Sequence, residues 1–355
     1  CLPSVGNNDD ITKRSIEIPA ISTLLCTTRT KSHLETFEED KEAIFFKDEK
    51  ECYLKCNNLL NDIKNIERIA LKGHIKVTRV LKTDFESVIK KIVNITFNKN
   101  IVYYKQFMKI KYYLNFKEEN RVSMEEYAQQ LIDYQLKNYK EMKISSFRPK
   151  LSSFTKFILN EKFKMRYARY LSYPSQVKKL QQQDLSHICD QQYGHLYSSL
   201  NSKVKIITVN DLVPIVLQKQ IAHKPYLLKY SLSKLKYYDR IIAISETTKK
   251  DILKYTDCPE EKITVLLRVV DPFFDNKPIN ESEICNLYSL PKDKIKILIE
   301  GNIIYKNNET SFKILRELLQ INKNIVFVKI GGHSDMTKFN DIKDKVYHLP
   351  FIKKE

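Results

Sequence analysis

Ten consecutive residues of this chain, His187 to Leu196 (HICDQQYGHL), hold two histidines, a cysteine, an aspartate and a tyrosine. Imidazole, thiolate and carboxylate groups bind metals, move protons and attack carbonyls, so the stretch invites a site. The two histidines are separated by a strand end and a turn, and no second ligand cluster lies nearby in sequence, so no metal is expected here. The segment reads instead as a strand, LSHICD (185–190), that delivers Asp190, Gln191 and Tyr193 to a sheet edge, with His195 just inside the next helix. His187 is expected in the core as a hydrogen-bonded histidine.

Two further stretches carry chemistry. In TVNDLVP (208–214), Asn210 and Asp211 stand at the carboxyl end of a strand, the edge where open parallel sheets collect ligands. An Asx turn before Pro214 would explain the same residues without a ligand. In EGNIIYKNNETSFKILREL (300–318), a strand ends at Gly301, a short loop carries Asn302, Lys306 and Asn307, and a helix starts near Glu309. Backbone N–H groups, the helix dipole and a lysine could together hold a diphosphate there. The alternative is an ordinary connection with a solvated lysine. There is no GxGxxG, GxxxxGK[ST] or HExxH, which argues against dinucleotide oxidoreductases, P-loop enzymes and zincins.

The elements that must position these residues alternate as short apolar strands and longer amphipathic helices, the pattern of parallel α/β sheets. KIKYYLNF (109–116) reads as a strand, and SMEEYAQQLIDYQLKNY follows as a helix with Ser123 and Glu126 at capping-box spacing. LSHICD, KIITVND (205–211), RIIAIS (240–245) and ITVLL (263–267) continue one Rossmann-like domain over 108–285, with Leu228, Leu232 and Leu235 on one helical face between them. A second run opens at KIKILIEG (294–301) and passes through NIVFVKIGG to VYHLP, so 290–355 reads as the beginning of another domain. Residues 1–97 form a third block: SIEIPAISTLLCTT as helix into strand, AIFF as a strand, and DEKECYLKCNNLLND as a helix with Asp48 and Glu51 at capping-box spacing. Residues 98–107 are the expected linker.

The 355 residues carry a formal charge of +18, but only eleven of the 61 basic residues are Arg, and lysines are spread along the chain without aromatic-interleaved stripes. Specific nucleic-acid binding is therefore not expected, whereas an anionic membrane or substrate suits the surface. The seven cysteines show no CxxC and no regular framework, which fits a reduced compartment; Cys52 and Cys56 are expected to be packing residues. No apolar run is long enough to span a bilayer. Because the chain starts at Cys1, it reads as an excerpt.

The order HICDQQYGHL, TVNDLVP, DRIIAISETTKKDI, KITVLLRVVDPFF and EGNIIYKNNET resembles the retaining, nucleotide-sugar-dependent glycosyltransferases of family 4, which have the GT-B fold. The resemblance covers about 108–355. It implies that Lys306 neutralises the donor diphosphate, with Gly301 and Asn302 letting the loop approach. It places Ser245 and Tyr193 near a cleft and Asp211 at the catalytic edge. The family usually has His where this chain has Asn210, and Asn-Gly where it has Arg268 and Val269. An amide cannot act as acid or base near neutral pH, which makes His195 a candidate to supply an imidazole.

The first block resembles the end of a spore-maturation-protein-like glycosyltransferase, with Glu17 matching the last Glu of an E-x7-E motif that binds the donor ribose, and Asp9 eight positions earlier. The simplest account is an excerpt of a tandem polypeptide that carries two glycosyltransferase units; the alternative is a circular permutation in which 291–355 and 1–97 form one domain. The resemblance implies transfer of a sugar from a nucleotide-diphosphate sugar to a glycan or lipid-linked acceptor without a metal or other cofactor, in the cytoplasm or peripherally at the inner face of the membrane. The alternatives are a catalytically inactive scaffold and a basic nucleic-acid-binding protein.

Overall fold

The computed structural model describes residues 11, 13–81, 88, 90–92, 108–158, 160–218, 225–267, 280–300, 308–331 and 335–350. The expected linker and the residues Gly301, Asn302, Lys306, Arg268, Val269 and Asp9 lie outside these. The strands are β1 (Cys26–Thr28), β2 (Ile44–Phe46), β3 (Lys109–Tyr113), β4 (Lys143–Phe147), β5 (Gln183–Ile188), β6 (Ser202–Val209), β7 (Arg240–Ala243), β8 (Ile263–Val265), β9 (Ile295–Glu300), β10 (Ile325–Ile330) and β11 (Val346–Leu349). The chain divides into two compact units. A terminal unit combines Cys1–Lys82 with Val270–Glu355, and a central unit is Thr83–Val269.

The central unit is built on a six-stranded parallel sheet of order β4-β3-β5-β6-β7-β8. Both faces are covered, so its strands are apolar on successive residues rather than alternating. Ile206 and Ile242 point into one core, where Leu131 and Ile132 of the helix Val122–Asn138 meet Ile110 and Tyr112. Their neighbours Ile207 and Ile241 point into the opposite core with Tyr113, Ile188, Leu232 and Leu235. Each fully buried side chain of this size contributes about 1.5–3 kcal/mol. The polar strand β4, sequence KISSF, was not expected; its largely exposed side chains suit its place at the sheet edge.

Helix starts test the local reading. Asp48 caps the helix Glu49–Leu60 by accepting from the Glu51 N–H at 2.8 Å, as its spacing requires. The Ser123–Glu126 expectation fails: the helix begins at Val122, Arg121 is its cap residue without a side-chain bond, and Ser123 already lies inside the first turn.

In the terminal unit, β1 pairs with β2 in parallel, and β9, β10 and β11 form a parallel sheet of order β11-β10-β9. The helix Asn308–Ile321 buries Phe312, Leu315 and Leu318 in a core that also contains Phe327 and, from the other end of the chain, Phe46 and Cys52. The Thr310 hydroxyl donates to Glu49 at 3.1 Å. The first and last blocks of the sequence thus share one interior. Arg29, just past β1, donates to Glu39 at 3.1 Å and to Glu51 at 3.0 Å, tying the strand pair to the helix Glu49–Leu60. The molecule is α/β with parallel sheets throughout, and among the described residues no helix is long and apolar enough to cross a membrane.

Candidate functional site

The carboxyl ends of β3, β5, β6 and β7 bring together most of the residues singled out from the sequence. Parallel strands aim their exits at one edge, so residues that follow them become neighbours although they are far apart in sequence. After β5, Asp190 is fully buried, accepts from Asn115 Nδ2 at 2.7 Å, and caps the following turn through the Gln192 N–H at 2.9 Å. Arg121 stands 3.9 Å from its carboxylate.

Gln191 joins two of the exits. Its amide NH2 donates to the Asp211 carbonyl at 2.8 Å, and its amide oxygen accepts from the Asn210 backbone N–H at 3.0 Å. Asn210 is buried; its side chain donates to the Cys189 carbonyl at 3.2 Å, and its own carbonyl accepts from the Thr248 hydroxyl at 3.1 Å. Asp211 is half-buried and accepts from the Val213 N–H at 3.1 Å, which is the Asx turn ahead of Pro214. Ser245 is buried as the cap of the helix Glu246–Tyr255, accepting from the Thr248 N–H at 3.0 Å.

A second, charged layer lies beside these loops. Tyr193 is buried and its hydroxyl donates to Glu119 at 2.6 Å; Arg169 donates to the same carboxylate oxygen. The other Glu119 oxygen is buried and has no hydrogen bond, with Arg121 Nε 3.7 Å away. Burial, then the Glu119 carboxylate, raise the Tyr193 phenol well above its ordinary pKa, so it remains a neutral donor. Burial opposes the charge of Arg169, yet Glu119 holds its pKa above the usual value.

The two histidines of HICDQQYGHL both point inward. His187 is fully buried, bonded through Nε2 to the Thr208 hydroxyl at 2.8 Å, and burial pushes its pKa down to about 3. His195 is also buried and stacked on Tyr170 at 4.3 Å. Its Nδ1 is 2.9 Å from the Ser231 hydroxyl, and its Nε2 is 2.9 Å from the Arg169 carbonyl, which can only accept. Burial lowers its pKa as well. Both ring nitrogens are therefore engaged, and the imidazole positions the Arg169 backbone.

Glu17, half-buried in the helix Lys13–Ala20, belongs to the terminal unit, as does β9, whose last residue directly precedes Gly301 in sequence; Gly301, Asn302 and Lys306 themselves lie outside the described residues. Sequence reading missed Glu119, Arg121 and Arg169. The only available signal was the acidic pair before the helix Val122–Asn138, which does not reveal a partner 50 positions away.

Residues 2–86 match the profile of a protein family described as "Glycosyl transferase-like". Comparison with curated proteins gives no match. Among solved structures, the chain is similar to HepE of Anabaena in complex with UDP-glucose, with 11% identity over 69% of this chain and 70% of that one and a TM-score of 0.48. It is also similar to a glycosyltransferase from Rickettsia africae, with 16% identity over 70% of this chain and 69% of that one and a TM-score of 0.38.

Proposed function

We propose that the chain is a glycosyltransferase of the GT-B type, moving a sugar from a nucleotide-diphosphate sugar to a glycan or lipid-linked acceptor. The observation that carries this reading is the glycosyltransferase-like profile over residues 2–86. It is supported by the parallel sheet of the central unit, whose carboxyl edge gathers Asp190, Asn210, Asp211 and the Glu119 network. The terminal unit would supply the donor side, with Lys306 neutralising the diphosphate and Glu17 accepting from the ribose hydroxyls. That both belong to one unit agrees with a permuted donor domain assembled from the two chain ends.

The central edge would receive the acceptor. There the unbonded Glu119 oxygen and the adjacent Arg121 offer an acceptor and a donor for sugar hydroxyls. The reaction would proceed with retention, aided by donor phosphate and positioning rather than by the amide of Asn210. The net charge of +18 suits work at an anionic membrane face.

Incubating the full chain with a panel of nucleotide-diphosphate sugars should release nucleoside diphosphate, and Lys306→Ala should weaken donor binding at least about tenfold, the loss of roughly 1.4 kcal/mol of charge-assisted contact. Absence of both binding and turnover across the panel would overturn the reading. One observation favours a second one: the Asn210 side chain is already committed to the Cys189 carbonyl. Donor binding without turnover would identify a catalytically inactive scaffold.

A further inference from the structure

We propose that Cys26, Cys52 and Cys56 form a three-sulfur site for a soft metal ion, Cu(I) by preference, independent of the transfer reaction. Cys52 and Cys56 are four residues apart on the helix Glu49–Leu60, so their side chains leave the same face. Cys26 opens β1 and comes to them from the strand. The three Sγ atoms all lie within 4.8 Å of one another, and those of Cys52 and Cys56 are 4.0 Å apart.

Metal–sulfur bonds of about 2.3 Å in a trigonal plane set the sulfurs about 4.0 Å apart, the spacing of the Cys52–Cys56 pair. The Cys26 Sγ, within 4.8 Å of both, reaches the same arrangement with at most a small side-chain rotation. None of the six described cysteines is in a disulfide. Cys189 and Cys258 sit singly in the two cores of the central unit, whereas these three converge.

Ligand type and number select the ion. Thiolates are soft donors and favour Cu(I) and Zn(II) over hard cations. Among the described residues no further His, Cys, Asp or Glu joins the group, and structural zinc sites take four ligands, so a three-coordinate ion fits better. Cys52 is buried, while Cys26 and Cys56 are half-buried, which leaves the ion a way in. Binding exchanges S–H protons for metal–sulfur bonds and releases those protons to solvent, with no change in oxidation state. The bound ion would clip β1 to the helix that carries the core between the two chain ends.

The reduced full-length chain, titrated with Cu(I) against a competing chelator, should take up one ion per chain, with three sulfur neighbours by X-ray absorption and a higher melting temperature. Cys52→Ala and, separately, Cys56→Ala at the half-buried position should each weaken binding at least a hundredfold, while Cys258→Ala should leave it unchanged. Equal uptake by the wild type and both variants would overturn the site. So would failure of the reduced wild type to bind Cu(I) more tightly than the Cys56→Ala chain.

Discussion

Each unit holds an arginine against glutamate, and the two arrangements differ in what they leave unused. In the terminal unit, Arg29 spans Glu39 and Glu51, Lys55 adds a bond to Glu39 at 2.7 Å, and the Lys47 N–H adds one to Glu51 at 2.8 Å. Every carboxylate oxygen has a donor, and the groups are about a quarter exposed. In the central unit, the Glu119 side chain is only 2% exposed, and one of its oxygens has no hydrogen bond. A satisfied network fastens elements together; a buried, half-satisfied one retains capacity for a ligand.

The buried histidines do not divide by unit: His33 of the terminal unit is bonded at both nitrogens, to Ser15 at 3.0 Å and Thr30 at 2.9 Å, as is His195 of the central unit, whereas His187 leaves Nδ1 without a hydrogen bond.

Breaking the buried network should have the largest effect. Arg169→Ala removes the main partner of a carboxylate with almost no solvent access and should lower the urea-unfolding free energy by roughly 3 kcal/mol. Restoration by Glu119→Leu in the same chain would tie that loss to the stranded charge; an unchanged midpoint for Arg169→Ala would refute the burial argument.

Acid should have the next effect. His187 has a folded pKa near 3, below its unfolded value near 6.5, so it folds neutral. Its contribution to stability is full above about pH 6.5 and is lost as pH falls toward 3, amounting to roughly 3 kcal/mol by pH 4. Comparing unfolding curves of the wild type and His187→Phe between pH 7.5 and 4 measures this, and parallel pH slopes would contradict it. The smallest effect belongs to the satisfied staple. Arg29→Ala should cost about 1–2 kcal/mol, because its partners keep Lys55, the Lys47 N–H and water. A loss as large as that of Arg169→Ala would erase the contrast between the networks.

Much of the architecture was legible where one force dominates. The runs around Ile206–Ile207 and Ile241–Ile242 read as strands because both sheet faces bury apolar side chains. The KISSF strand escaped notice because an edge strand needs no apolar run, and the Ser123 cap was misread because a one-residue shift moves a cap into the helix. Asp190, Asn210, Asp211 and Ser245 could be placed at strand exits from order alone. The partnership of Glu119 with Arg169 and the convergence of Cys26 on Cys52 and Cys56 depend on three-dimensional closure, which local spacing does not encode.

The shared interior of the terminal unit also bears on how the chain finds its structure. Phe46 and Phe312 meet only after the whole intervening length has been brought round, and the entropy lost in closing so long a loop must be met before their contact returns any stabilisation. The central unit, drawn from contiguous chain, carries no such requirement. Its contacts are the more local in sequence, so refolding followed by a probe in each unit should find the terminal unit the slower to form.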